Sequence, residues 1–76
     1  MMAVAVPITK IEDAIAAING HEGRPEDFRL RIAYEMLDPV GINMAIVCDA
    51  VLKRGWMPDG SEDLEDCRVY RYVAGA

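Results

Sequence analysis

The chain has 76 residues, 53% of them hydrophobic, and its 13 acidic and 8 basic side chains give a net charge of -5. This length and hydrophobic content exclude a disordered segment and predict one small domain over residues 1–76. The negative charge disfavours tight binding to nucleic acid unless the basic side chains gather on one face.

The apolar stretches of the chain are too short for membrane insertion or export. The longest, residues 42–52, falls well below the roughly 20 residues that span a bilayer. The N-terminal MMAVAVP lacks the basic start and the long apolar core of a secretory signal. We therefore expect a cytoplasmic protein without a membrane partner, in which Cys48 and Cys67 are free thiols.

Residues 9–12, Thr-Lys-Ile-Glu, have the form of a capping box, in which the side chains of Thr9 and Glu12 bond to each other's backbone amides. Apolar residues then recur at helical spacing until Asn19-Gly20, a pair typical of a left-handed helix stop. The pattern predicts a first helix at about residues 10–19. Its apolar stripe comprises Ile11, Ala14, Ile15 and Ile18.

A second helix is predicted for residues 25–37. Pro25 fixes a helical φ at the first turn, and opposite charges follow at i,i+4 spacing. The same stretch, residues 28–36, also alternates between apolar and polar residues as a half-buried strand does. We predict the helix because most residue types in this stretch favour helix, and a strand is the alternative. The paired charges are Asp27, Arg31 and Glu35.

A turn at Asp38-Pro39-Val40-Gly41 leads into a third, mostly apolar helix over residues 42–54 that stops at Gly55. This helix is predicted to be the central and most buried of the helices. Its core-facing residues are predicted to be Val47, Val51 and Leu52.

The C-terminal part of the chain predicts a β-hairpin. Residues 68–73 alternate and are rich in Val and Tyr, which is typical of a strand, and Trp56 and Met57 would begin its antiparallel partner. The acidic segment between them, residues 61–67, is predicted to be a mobile loop.

The order of these elements resembles that of a winged helix-turn-helix domain. The resemblance covers about residues 25–73 and rests on Gly41 to Met57, GINMAIVCDAVLKRGWM, which looks like the turn and recognition helix of that family. It implies a small α+β fold with three helices and a C-terminal two-stranded β-hairpin, in which Asn43 caps the recognition helix. The acidic loop would form the tip of the wing. Few of the outward-facing side chains of the recognition helix are of types that read bases.

The sequence contains no motif for catalysis, cofactor binding or metal binding. His21 is the single histidine and is predicted to be solvated on a loop, where no second histidine completes a metal site. Cys48 is predicted to pack in the third helix without activation of its thiol. We therefore expect a protein that is not an enzyme, with no catalytic residue, cofactor, metal or small-molecule substrate.

Two binding functions remain, and the negative charge of the C-terminal loop favours the first. It is protein–protein interaction, as a homodimer or with a basic protein, in a regulatory or inhibitory accessory role. Surplus apolar area on the third helix motivates the homodimer. The alternative is a DNA-binding transcriptional regulator of the winged helix-turn-helix type. The partner-binding candidates are Asp49, Glu62, Asp63, Glu65 and Asp66, and the DNA-binding candidates are Asn43, Lys53, Arg54, Arg68 and Arg71.

Overall fold

Two α-helices and three strands form within residues 6–37 and 41–75, the part of the chain that the computed structural model describes; of residue 42 only the main chain is described. The predicted α+β class is confirmed, but two helices and a three-stranded antiparallel sheet replace the three helices and two-stranded hairpin. No helix in these residues is long and apolar enough to cross a membrane. The elements are α1 (Ile11–Gly20), β1 (Arg29–Ala33), α2 (Ile42–Lys53), β2 (Trp56–Asp63) and β3 (Cys67–Ala74).

The prediction of a second helix is wrong, because residues 25–37 form strand β1 between two short 3-10 turns. In β1, Leu30 and Ile32 lie on the buried face of the sheet and are at most 1% exposed. In a helix their side chains would point about 200° apart and could not share one buried face. Burial of each is worth about 1.5–3 kcal/mol, whereas an i,i+4 charge pair is worth only about 0.2–0.5 kcal/mol. Burial therefore outweighs helix propensity in this segment.

Strand β3 is the centre of the sheet, whose strand order is β1-β3-β2. Its antiparallel pairing with β1 places Leu30 opposite Tyr70, and its antiparallel pairing with β2 places Trp56 opposite Ala74. Ile8 adds one parallel bridge at the outer edge of β1. Among the described residues, β2 is therefore the strand whose outer edge is unpaired.

Both helices pack on the same face of this sheet. Side chains of α1 and α2 meet alternate residues of the strands in one hydrophobic core, and the opposite face contributes none of its described residues to that core. The fold is thus two layers, with one sheet face left without a helix. The buried members of the core are Ala14, Ile18, Phe28, Leu30, Ile32, Met36, Val47, Val51, Trp56 and Tyr72.

The predicted core positions of the helices are confirmed with three exceptions: Leu52 and Cys48 are exposed, and Ile15 is half-buried outside the core cluster. The stripe on α1 is inward, since Ala14 and Ile18 are fully buried. On α2, Val47 and Val51 are buried as predicted, but Leu52 is 55% exposed. Because side chains advance by about 100° per residue along a helix, Leu52 falls outside the arc that Val47 and Val51 define.

Helix α1 does not use the caps that its sequence suggests. Lys10 is the N-cap residue and no side chain caps the helix, so the predicted capping box of Thr9 and Glu12 is absent. Gly20 is the last helical residue and does not take the left-handed conformation. The C-terminal carbonyl groups of α1 therefore need a partner from elsewhere in the chain.

Arg54 supplies that partner. Its Nη1 donates to the backbone oxygens of Ile18 and His21 at 2.6 and 2.8 Å. The guanidinium carbon also lies 4.5 Å from the ring centre of Trp56. A positive charge at a helix C-terminus is favourable, and one side chain thereby joins the ends of α1 and α2 to the first residue of β2.

Helix α2 lies between two glycines in the left-handed region, Gly41 with a φ of 73° and Gly55 with a φ of 77°. The stop predicted at Gly55 is confirmed, whereas Gly41 rather than Asn43 is the N-cap residue. Asn43 instead donates through Nδ2 to the backbone oxygen of Met36 at 3.0 Å, which fastens the start of α2 to the turn after β1. The predicted turn residues 38–40 lie outside the described residues.

Strand β2 extends further than predicted. Residues 61–63 pair with β3, so the segment expected to be a mobile acidic loop is largely strand and the hairpin turn is confined to residues 64–66. The ladder shifts register between Pro58 and Ser61. Proline, a bulge and exposed carboxylates along a free edge are features that prevent edge-to-edge pairing between molecules.

Alanine substitutions at Leu30 and Ile32 test the strand assignment. Because both side chains fill the core, each substitution should lower the free energy of unfolding by about 2–5 kcal/mol in urea denaturation. Arg29→Ala, a change in the same strand on the opposite face, should cost less than about 0.5 kcal/mol. A loss below about 1 kcal/mol at either Leu30 or Ile32 would contradict the assignment.

Candidate interaction site at helix α2

The outer surface of α2 is mostly apolar. Val47 and Val51 face the core, yet Ile46 and Leu52 are 45% and 55% exposed. A helix on the surface of a monomeric domain normally carries charged side chains on this side, and only two of the exposed residues between 43 and 53 are charged. The exposed residues are Ala45, Ile46, Cys48, Asp49, Leu52 and Lys53.

A groove of about 280 Å³ runs between the two helices, and we call it the α1–α2 groove. Ile46 contributes its exposed side chain, and most of the groove surface is apolar. Ile15 and Asn19 line it from α1, and its other lining residues belong to α2. It is lined by Ile15, Asn19, Ile46, Asp49, Ala50 and Lys53.

Asp49 and Lys53 form an ion pair in this groove. Lys53 Nζ lies 2.9 Å from Asp49 Oδ2, and the side chains are 77% and 64% exposed, respectively. Asp49 therefore lies on a solvent-facing side of α2. An exposed i,i+4 pair is worth only about 0.3–0.5 kcal/mol, so both charges remain available to a second molecule.

The other four partner-binding candidates belong to the sheet layer, at the tip of the β2–β3 hairpin. One of them, Asp63, is held by Arg68 in the directly opposite position of β3, with Oδ1 2.5 Å from Nε. The hydrogen bond and charge of Arg68 lower the pKa of the Asp63 carboxyl. The structure therefore separates Asp49 on the helix layer from the hairpin candidates. These are Glu62, Asp63, Glu65 and Asp66.

The five DNA-binding candidates do not form one basic surface. Asn43 and Arg54 are held by the contacts within the protein described above, and Lys53 lies beside the negative charge of Asp49. Arg68 and Arg71 are three residues apart in β3, so their side chains point to opposite faces of the sheet. These contacts leave α2 without a cluster of side chains that could read bases.

The strand register brings the candidate Arg71 together with Arg29 and Arg31, which sequence analysis did not propose, and we call these three residues the arginine row. Arg29 lies directly opposite Arg71, and Arg31 is two residues along β1, all on the sheet face without a helix. Like charges directly opposite each other in a sheet are unfavourable. The Nη1 atom of Arg29 donates hydrogen bonds to the backbone oxygens of Glu26 and Phe28 at 2.8 and 2.9 Å. The apolar–polar alternation of this segment was the signal that could have found the row.

His21 is packed rather than solvated, which corrects the sequence prediction. Its ring is half-buried and lies 5.1 Å from the ring of Phe28 and 5.7 Å from that of Trp56. Its Nε2 lies 2.9 Å from the backbone oxygen of Arg24. No group of three or more His, Cys, Asp or Glu side chains that could hold a metal ion occurs in residues 6–37 and 41–75.

Comparisons of the chain with protein-family models, with curated proteins and with solved structures gave no match. The winged helix-turn-helix resemblance therefore stays a prediction, and residues 25–37 do not contain the helix on which its order of elements rested. The functional proposals below rest on the contacts and charges of the fold.

Replacement of Arg54 by alanine tests its structural role. The variant should lose about 1–3 kcal/mol of unfolding free energy, because the carbonyl groups at the end of α1 lose charged hydrogen-bond donors. The matched control is Lys53→Ala, whose exposed ion pair should be worth less than about 0.5 kcal/mol. Urea denaturation measures both, and equal effects would contradict the role assigned to Arg54.

Replacement of Asp63 by asparagine tests the ion pair of the hairpin through pH. A lowered folded-state pKa means that the pair stabilises the fold above the unfolded pKa of about 4 and that this contribution is lost as the pH falls through the folded pKa. Thermal unfolding between pH 6 and pH 2 should therefore show a shallower acid-side loss in Asp63→Asn. Arg68→Gln should flatten the profile similarly, and an unchanged slope in either variant would count against the pair.

Proposed function

We propose that the domain is a non-enzymatic interaction module that forms a homodimer through the α1–α2 groove. The observation that carries the proposal is the exposure of Ile46, 45%, in a mainly apolar groove beside the Asp49–Lys53 pair. On folding, a domain of this size buries about 60% of the surface that its unfolded chain exposes, a smaller fraction than larger domains bury, so covering an apolar groove adds stability.

The charges of the groove favour a second copy as the occupant. Asp49 and Lys53 lie one helical turn apart and are of opposite sign. In a two-fold symmetric contact with antiparallel α2 helices, residue i of the first copy meets residue j of the second, and residue j of the first copy meets residue i of the second. Asp49 of each copy then approaches Lys53 of the other while both Ile46 side chains are covered. A partner of uniform charge would face one like charge in the same groove.

The acidic tip of the hairpin lies on the sheet layer, away from the helices that form this groove. Glu62, Glu65 and Asp66 are exposed there, and their charge suits contact with a basic protein in a regulatory or inhibitory complex. In this proposal the groove makes the dimer, and the hairpin tip gives the dimer two separate acidic surfaces.

A charge swap in the groove tests the homodimer. Asp49→Lys or Lys53→Asp alone should weaken dimerisation about tenfold or more, because each places like charges opposite each other in both symmetric contacts. The double swap Asp49→Lys with Lys53→Asp should restore the wild-type dissociation constant. Sedimentation equilibrium over a micromolar concentration range measures all four proteins.

Ile46→Glu provides a second test with a matched control. It should give a monomer, since it buries a charge in the contact. Leu52→Glu changes a more exposed residue of the same helix outside the groove and should leave the dimer intact. A monomeric wild-type protein, or equal disruption by Leu52→Glu, would overturn the proposal.

DNA binding is the second candidate function, and the arginine row is the observation that favours it. Three guanidinium groups on one sheet face supply a few phosphate contacts, against a net charge of -5. The interaction proposal predicts no complex with duplex DNA tighter than about 10⁻⁴ M at physiological salt in fluorescence anisotropy. Micromolar binding that is lost in Arg31→Gln and Arg71→Gln would favour DNA instead.

A further inference from the structure

A second pocket, of about 200 Å³, lies between α2 and the sheet. It is on the opposite side of α2 from the α1–α2 groove, because Met44 and Cys48 point roughly 160–200° away from Ile46 around the helix axis. Its surface is almost entirely apolar. The lining residues are Met44, Val47, Cys48, Pro58, Tyr70 and Tyr72.

Tyr72 gives this pocket one buried polar group. Its side chain is only 4% exposed, and its ring packs against Phe28 and Trp56 at centroid distances of 6.0 and 6.2 Å. The hydroxyl makes no hydrogen bond within residues 6–37 and 41–75. Among those residues, each buried side-chain nitrogen or oxygen either has a hydrogen-bond partner or is in contact with solvent. Because the Tyr72 hydroxyl has no partner there, it reaches open space at the pocket that its side chain lines.

The surroundings keep this hydroxyl protonated. Burial raises the pKa of Tyr72 well above its usual range, and the neighbouring Cys48 and Tyr70 raise it further. The group is therefore a hydrogen-bond donor at neutral pH. Because the pocket is open to solvent, water can accept from this hydroxyl, and a ligand with an acceptor atom takes the place of that water while its apolar part covers the pocket walls.

We propose that this pocket binds a small apolar molecule with a single ring and one hydrogen-bond acceptor, which accepts from the Tyr72 hydroxyl. An apolar cavity of about 150 Å³ holds benzene, so the volume here fits one ring with a small substituent. Aromatic and aliphatic walls with a small number of placed polar groups are typical of ligand pockets, and Tyr70 and Cys48 also line this one. The proposal is independent of the homodimer, whose contact lies on the other side of α2.

Acetophenone and α-methylstyrene are matched probes, since they have nearly the same shape and only acetophenone has a carbonyl acceptor. Each is titrated into the full chain while methyl and amide shifts are followed by NMR. Acetophenone should shift the signals of Met44 and Val47 and bind Tyr72→Phe about 2- to 10-fold more weakly than wild type. α-Methylstyrene should bind the two proteins equally.

Tyr72→Phe should fold, because the hydroxyl that it removes makes no hydrogen bond with the described residues. Met44→Trp is a second variant that fills the pocket, and it should abolish the shifts caused by both probes. Equal binding of acetophenone to wild type and Tyr72→Phe would overturn the proposal. So would the absence of shifts at Met44 and Val47 up to the solubility limit of the probes, or undiminished binding in Met44→Trp.

Discussion

The pairing of β1 with β3 is the interaction on which the rest of the fold depends. Without β1, the β2–β3 hairpin would be a two-stranded ribbon, and such a ribbon is marginally stable in water. With β1 in place, β3 is the central strand and Leu30 and Ile32 complete an apolar surface wide enough for two helices. The same pairing sets the register that places Tyr70 and Tyr72 beneath α2.

The two-layer fold leaves parts of the surface of α2 uncovered. The sheet supports both helices on one face, so α2 has a groove on its α1 side and a pocket on its sheet side. The core uses Val47 and Val51, and the other apolar side chains of the helix are left partly uncovered. The exposed apolar side chains that make α2 available for binding therefore lower the stability of the isolated domain. A partner that covered α2 would raise that stability.

Local sequence patterns predicted the elements whose stabilising contacts are close along the chain. The apolar stripe of α1, the stop at Gly55 and the final strand depend on spacing and on residue type, which a sequence displays directly. The Asp49–Lys53 pair is of the same local kind, because its two residues lie one helical turn apart.

Long-range contacts could not be predicted in this way. Strand β1 was mistaken for a helix because its partner lies far along the chain, and short-range charge spacing pointed to the competing structure. Arg54 caps α1 from 36 residues beyond Ile18, and no local signal marks such a cap. The groove and the pocket were missed for the same reason, since their walls come from elements that only the tertiary fold brings together.

Nuclear Overhauser measurements on the backbone test the central claim most directly. Antiparallel pairing of β1 with β3 predicts cross-strand contacts between Leu30 and Tyr70 and between Ile32 and Arg68, in the register of the sheet. A continuous series of sequential amide–amide contacts with i,i+3 contacts across residues 25–37, and no contact from this segment to β3, would show a helix and contradict the account.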